Sequence, residues 1–245
     1  MTTLAAPPTR VVKADTATLG QWQLIAINFA KHKLAVYSTY VLALLYTVAT
    51  AEDPAGVQRV RAIYEGTEQL PGLVLDTELR WHLLIELAAH GAATEDDIAA
   101  ELQRDPTAAG EKRAASARSA LATPEAKAAA WAAVVERDDL SNHMQVATMR
   151  TFWRPEPEQQ AVTAPYVARF FEAIGDVWRN RSMDSAQTFT ELLYPVTAIS
   201  EETLALTDAY LAEQAPQPAL RRLLVEARDT MARALRARAC DAAAG

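Results

Sequence analysis

The chain has 245 residues, of which half are hydrophobic and 22% are charged, and its formal net charge is −7. This composition excludes an intrinsically disordered acidic chain, and the eight glycines provide too little turn chemistry for an all-β protein. The single cysteine, Cys240, excludes an intrachain disulfide and a zinc site built from cysteines, and it favours a reducing compartment.

The charge is divided unevenly along the chain. Residues 1–50 contain four basic residues and one acidic residue, a net charge of +3, which leaves −10 for residues 51–245. We therefore predict two parts, residues 1–50 and residues 51–245. Such an acidic second part repels phosphate backbones, and no stripe of lysine and arginine alternates with aromatic residues in it. The sequence predicts no nucleic-acid partner.

Two helices are predicted in the first part. Apolar residues between Trp22 and Phe29 recur at three- and four-residue spacing, which predicts an amphipathic helix ending at Lys31-His32-Lys33. The following 18 residues, Leu34–Ala51, contain no charge. As a helix they would be about 27 Å long, slightly under the roughly 30 Å of a hydrocarbon core. This length favours a transmembrane helix, whereas the tyrosines and hydroxyl residues in the segment favour a buried core helix, and both interpretations stay open.

The stretch GQWQLIAINFAKHKLAVYSTYVLALLYTVA resembles the N-terminus of the permease subunit of bacterial peptide-transporting ABC systems. In that family an amphipathic helix and a basic cluster precede the first membrane span. The resemblance implies a membrane contact through residues 34–51 and, as one hypothesis, a component related to peptide transport. One span cannot form a permeation path, which weakens that hypothesis.

From residue 52 onward the sequence predicts successive helices, most of them opened by a capping residue. Thr94 is followed by an acidic first turn that suits the positive end of the helix dipole, and Pro124 occupies a first helical position. Gly91 is the residue type expected just after a helix end. The predicted N-caps and helices are Asp76 before 77–90, Thr94 before 95–104, Thr123 before 124–137, Ser141 before 142–153 and Ser200 before 201–214, followed by a helix over 218–238.

The linkers between these helices are short and contain proline, glycine or aspartate, so neighbouring helices should be antiparallel. We predict an all-α fold of about five antiparallel helical hairpins stacked as a HEAT- or armadillo-like solenoid, preceded by one hydrophobic helix. We find no strict sequence period. Such a stack of hairpins typically binds or encloses a ligand.

No metal site is predicted. H-E-x-x-H, which places two histidine ligands on one helix face, does not occur. The nearest pattern is His82, Glu86 and His90, which stack along one face of a helix. Together with Glu78 they lie opposite a leucine-rich face, so we interpret them as a solvated face rather than as metal ligands.

The sequence also contains no pattern for a catalytic or cofactor-binding site. There is no G-x-S-x-G elbow, P-loop or dinucleotide-binding glycine pattern, and Cys240 has no evident catalytic partner. The core of the second part is predicted to contain seven aromatic residues: Trp131, Phe152, Trp153, Phe170, Phe171, Trp178 and Phe189. The sequence offers four candidate contacts for a peptide carboxylate, Arg150, Arg154, Arg179 and Arg181, because guanidinium groups match carboxylates. Surface solvation of these residues is the alternative.

Three sequence segments carry a second resemblance. Asp76-Thr77-Glu78-Leu79-Arg80-Trp81, Arg104-Asp105-Pro106-Thr107, and Thr123-Pro124-Glu125-Ala126-Lys127 followed by Trp131 occur in the order found in the C-terminal portion of actinobacterial aminopeptidase N. The chain resembles this zinc metallopeptidase family over residues 51–245. The resemblance implies the helical C-terminal domain that caps a thermolysin-like catalytic domain and encloses a chamber for peptides.

The same resemblance predicts no activity for this chain alone. The family's zinc-binding H-E-x-x-H helix, its remote glutamate ligand and its G-A-M-E-N segment precede this domain, and neither motif occurs here. Zinc is therefore expected in the family's catalytic domain, and no cofactor is expected in this chain. The expected partners are a peptide or an aminopeptidase catalytic domain. A helical-repeat scaffold for protein interactions is the alternative function.

The two resemblances imply different locations. Basic residues before a span predict a body on the opposite side of the membrane, whereas the aminopeptidase resemblance implies a cytoplasmic body. We predict a cytoplasmic body that is anchored to a membrane only if residues 34–51 form a span. The conflict favours a junction of two unrelated segments, as in a fusion or a fragment.

Overall fold

The computed structural model describes residues 54–70, 73–137, 140–214 and 216–244. Within these ranges the chain is all-α, as predicted, with eleven α-helices and no β-strand. The helices are α1 (Pro54–Glu65), α2 (Thr77–Ala89), α3 (Glu95–Arg104), α4 (Ala108–Ala120), α5 (Pro124–Trp131), α6 (Asn142–Arg150), α7 (Pro157–Thr163), α8 (Pro165–Asn180), α9 (Met183–Leu193), α10 (Glu201–Glu213) and α11 (Pro218–Ala244).

The predictions for the first part of the chain, an amphipathic helix and a membrane-spanning or buried helix over Leu34–Ala51, lie outside the described residues. Among the helices that are described, none combines the length and the apolar character needed to cross a bilayer.

Four predicted helix starts are confirmed by side-chain caps. The backbone N–H of Leu79 donates to Asp76 Oδ1 over 2.9 Å, and Thr94 forms a reciprocal capping box with Asp97. Thr123 and Ser200 each accept a hydrogen bond from the backbone three residues later. Gly91 adopts φ +66° after α2, as expected of a residue following a helix end. Ser141 precedes α6 but makes no capping hydrogen bond.

Three predicted helix ends are wrong. The helix predicted over 124–137 is α-helical only to Trp131 and continues as a π-helical turn, Ala132–Glu136. Helix α6 ends at Arg150 rather than at residue 153, because Phe152 and Trp153 turn into the core. Helix α11 continues to Ala244, six residues beyond its predicted end, through an alanine-rich segment with high helix propensity.

Helices α2, α4, α6 and α9 pack against one another in that order, and α11 packs on α9 and α10. The helices α2, α4, α6 and α9 thus contact helices that are not their neighbours in sequence. Contacts of this kind also occur between successive hairpins of a stacked series. The solenoid arrangement itself stays a prediction.

The aromatic core predicted from the sequence is confirmed for six of seven residues, and the seventh, Phe171, is half-buried. Trp131 lies between Phe152 and Tyr166, with ring centres 5.9 and 5.2 Å away. Phe170 stacks on Phe189 at 5.9 Å. The buried residues of this set are Trp131, Phe152, Trp153, Phe170, Trp178 and Phe189.

A buried charged cluster fixes the register of the first three helices. Arg80 of α2 binds Glu101 of α3 through two hydrogen bonds of 2.7 and 2.8 Å. Tyr64 of α1 donates its hydroxyl to Glu101 over 3.1 Å. Burial and the Glu101 carboxylate raise the pKa of Tyr64 to about 12, so this hydroxyl remains a donor at neutral pH.

Helix α4 approaches the preceding turn closely at Gly110. The Asp105 carboxylate of that turn accepts hydrogen bonds from Trp81 Nε1 and Thr107 Oγ1, over 2.9 and 2.7 Å. A Cβ atom at position 110 would lie only 2.0 Å from the Asp105 carbonyl oxygen. The backbone contact therefore requires glycine.

Replacing Gly110 with alanine should lower the free energy of unfolding by roughly 1–3 kcal/mol, because backbone must move to admit the methyl group. The matched control is Gly175→Ala in α8, where the new Cβ would meet only the ends of Arg179 and Tyr210, at 3.3 Å. The control should leave stability unchanged or slightly increased, since alanine is the better helix former. Urea unfolding midpoints measure both changes, and equal midpoints for the two variants would contradict the close contact.

Candidate functional site

The C-terminal ends of α2 and α4 and the turn that follows α6 meet in the interior. Carbonyl groups at a helix C-terminus lack intrahelical donors and carry the negative end of the helix dipole. The fully buried amide of Gln159 donates to Ala89 O of α2 and Ala120 O of α4, over 2.7 and 2.8 Å. We use the name carbonyl junction for the carbonyl groups of Ala89, Ser119, Ala120 and Phe152 with their donors Gln159 and Lys127.

Lys127 of α5 is the second donor of the carbonyl junction and is completely buried. Its Nζ donates to Ser119 O and Phe152 O, over 2.6 and 2.9 Å, and lies 5.3 Å from the centre of the Phe152 ring. Burial, assisted by the nearby Arg154 guanidinium and opposed by Glu156, lowers the pKa of Lys127 to about 7. The two acceptors match the two N–H groups of a neutral amine.

Arg154 lies beside the junction between two carboxylates. Its guanidinium contacts Glu86 of α2 and donates to Glu156 Oε1 over 2.7 Å. Burial lowers the pKa of Arg154, but the two carboxylates outweigh burial and the net shift is upward. All three side chains are largely buried. The cation is therefore already paired inside the protein.

The four arginines predicted to contact a peptide carboxylate lie in different settings. Arg154 has the internal partners just described, and Arg181 donates to Val134 O over 2.5 Å beside the Phe189 ring. Arg179 is exposed and pairs with Asp176 one turn earlier, and Arg150 is exposed at the end of α6. Recognition of a peptide carboxylate by these residues stays a prediction.

The interpretation of His82, Glu86 and His90 as a solvated face is wrong for two of the three. His82 is 51% exposed, but the Glu86 and His90 side chains are only 16% and 6% exposed. The cause is nonlocal, because the segment carrying Arg154 and Glu158 packs against this part of α2. Within the described ranges no three histidine, cysteine, aspartate or glutamate residues are arranged to hold a metal ion.

Sequence reasoning missed both donors of the carbonyl junction. A signal for Lys127 existed: it lies four residues before Trp131, so both face the same side of the helix, and Trp131 was predicted to be buried. No local pattern marks Gln159, whose acceptors lie 39 and 70 residues away in sequence.

Replacing Lys127 with methionine should change how stability depends on pH. The pKa of this amine falls from 10.5 in the unfolded chain to about 7 in the native state, so between these values the unfolded chain binds more protons. Wild-type stability should therefore rise with pH across this window, by at most about 1.4 kcal/mol per pH unit. Below about pH 7 the amine is protonated in both states, so its destabilising effect is at its maximum and no longer changes with pH. Lys127→Met removes the titrating group and should abolish this contribution.

The measurement is the unfolding free energy in urea at several values between pH 6 and pH 10. Lys112→Met is the matched control, because Lys112 is exposed on α4, and it should keep the wild-type dependence. A Lys127→Met variant that retains the full rise would contradict the lowered pKa.

The sequence matches known proteins over most of the described body and over residues that precede it. Residues 31–233 match the family described as ERAP1-like C-terminal domain. The chain is also 47% identical over 196 residues to an aminopeptidase N of Streptomyces lividans, an alignment that covers 80% of this chain and 23% of the relative. The matched part of the relative is its C-terminal part, so this chain spans less than a quarter of the relative's length. The family match begins before the predicted boundary at residue 51, and that boundary stays a prediction.

Proposed function

The chain belongs to the family of ERAP1-like C-terminal domains, and from this membership we propose that it acts as the noncatalytic C-terminal domain of an aminopeptidase N-like enzyme. In this role its helices pack against a catalytic domain and form one wall of a chamber that holds peptide substrates. A cytoplasmic location of the helical body is part of the proposal and agrees with the single cysteine.

The observation that carries this proposal is the 47% identity to the C-terminal part of an aminopeptidase N over 196 residues. The described body supports it. Three of its buried ionisable side chains hold elements together: Glu101 binds α1 and α2, Lys127 binds α4 and the turn after α6, and Arg154 binds α2. Such a body is suited to present a fixed surface rather than to perform chemistry.

In this proposal the peptide bond is cleaved in the catalytic domain, where the family's zinc resides. We assign no zinc ligand to this chain, because its sequence contains neither H-E-x-x-H nor G-A-M-E-N. The chain's own contribution is to enclose the peptide and to restrict its access. No specific observation favours the protein-interaction scaffold or the peptide-transport hypothesis over this one.

A domain exchange tests the proposal. The C-terminal part of the Streptomyces lividans aminopeptidase N is replaced with residues 51–245 of this chain, and hydrolysis of an aminoacyl reporter is measured. The exchanged enzyme should keep kcat/KM within about tenfold of the intact relative, a loss of no more than about 1.4 kcal/mol in transition-state stabilisation. A truncated relative that lacks the C-terminal part is the reference.

This chain alone should hydrolyse no reporter, with or without added zinc. An exchanged enzyme that is folded but no more active than the truncated reference would contradict a role in the peptide chamber. Hydrolysis by the isolated chain above background would contradict the noncatalytic assignment.

A further inference from the structure

The outer side of α11 carries its charged residues in a fixed order. These residues recur at spacings of three and four, which places them along one face of the helix. The opposite face packs into the core through Leu220, Leu224 and Met231. We use the name outer stripe for the exposed face, which consists of Arg222, Val225, Glu226, Asp229, Arg233, Arg236 and Cys240.

The charged residues of the outer stripe are engaged only locally. Their contacts join side chains of α11 that lie one, three or four residues apart. Arg222 and Glu226, for example, are 4.0 Å apart, and their side chains are 67% and 65% exposed. Exposed pairs of this kind contribute little to stability. Among the described residues Arg236 has no ion-pair partner. These charges can therefore pair with another molecule.

Helix α11 also extends beyond the part that packs on the body. Its contacts with the apolar core end at Leu235, and the helix continues to Ala244. In this extension Arg238 donates to Ile199 O over 3.0 Å, but its residues are exposed. Short helices without tertiary packing are marginally stable in water, so packing against a second helix would stabilise the extension.

The order of the charges is self-complementary. Along the chain the outer stripe reads basic, acidic, acidic, basic and basic. In an antiparallel pair of α11 helices whose midpoint lies at residue 231, Glu226 and Asp229 of one copy face the two arginines that follow this midpoint in the other. The two-fold axis repeats the contact. A parallel pair in register would instead place each charge beside its own copy, which is repulsive.

We propose that the outer stripe binds a second copy of this chain as an antiparallel, two-fold symmetric helix pair. Val225, which is 37% exposed, packs on the aliphatic part of Arg236 of the other copy. Between residues 222 and 240 the stripe is about 27 Å long, so the interface is at the small end of the range for specific complexes. We therefore expect a weak dimer with a micromolar dissociation constant. This inference does not rest on the proposed function.

Charge reversal tests the pairing by sedimentation velocity of the full-length chain under reducing conditions. Glu226→Arg with Asp229→Arg should raise the dissociation constant at least about tenfold, because every pair becomes repulsive. Arg233→Glu with Arg236→Glu should do the same. An equimolar mixture of the two variants should form a heterodimer, since all pairs between an all-basic and an all-acidic stripe are attractive.

The matched control carries the same change of charge on another exposed face. Glu172→Arg with Asp176→Arg on α8 should leave the wild-type dissociation constant unchanged. A wild-type chain that stays monomeric up to millimolar concentration would overturn the proposal. So would equal weakening by the α8 control, or a mixture of the two stripe variants that does not associate although both variants are helical by circular dichroism.

Disulfide cross-linking tests the antiparallel direction. Arg222→Cys places a thiol opposite the native Cys240 of the other copy, so mild oxidation should give a covalent dimer linked between positions 222 and 240. Arg221→Cys is the matched control, because position 221 is exposed but lies outside the outer stripe, and it should cross-link much more slowly. Equally fast cross-linking of the wild-type chain through Cys240 would indicate a parallel contact and overturn the proposal.

Discussion

Two helix ends and one turn that meet away from solvent need hydrogen-bond donors, and much of this fold depends on how that need is met. The last carbonyl groups of α2 and α4 cannot be satisfied by their own helices, and Phe152 lies in the turn after α6. Gln159 joins α2 to α4, and Lys127 joins α4 to the turn after α6. Each donor comes from a different helix, α7 or α5, so four helices and this turn are fixed around one polar centre. Helix α4 lies at the middle of this arrangement and is also the helix that must approach Asp105 closely.

The buried ion pairs also join elements of the fold to one another, and we assign them no catalytic role. Arg80 and Glu101 connect α2 to α3, and Arg154 connects α2 to the segment before α7. Buried ion pairs contribute little net stability compared with apolar packing, but removing one partner leaves a costly unpaired charge. We therefore expect these pairs to act mainly by disfavouring helix packings that would leave one of the charges unpaired.

The sequence predicted local features well and nonlocal features poorly. Asp76, Thr94, Thr123 and Ser200 were identified as N-caps because a cap depends on residues within one turn. The solvated-face interpretation of Glu86 and His90 failed because their burial depends on a segment about 70 residues later. Lys127 and Gln159 could not be assigned as donors for the same reason, although the spacing of Lys127 from Trp131 indicated its burial. The resemblance to aminopeptidase N identified the family, which helix periodicity alone could not have done.

Gln159 binds residues that lie far before it in the sequence, and this separation affects how the chain can fold during synthesis on the ribosome. Its acceptors, Ala89 and Ala120, precede it by 70 and 39 residues. A nascent chain that ends before residue 159 can form α2 and α4 but leaves these two carbonyl groups without this donor. The N-terminal third of the body therefore cannot complete its packing until α7 has left the exit tunnel. Until then the two carbonyl groups lack this donor, and a pause in translation just before α7 would prolong this incompletely packed state.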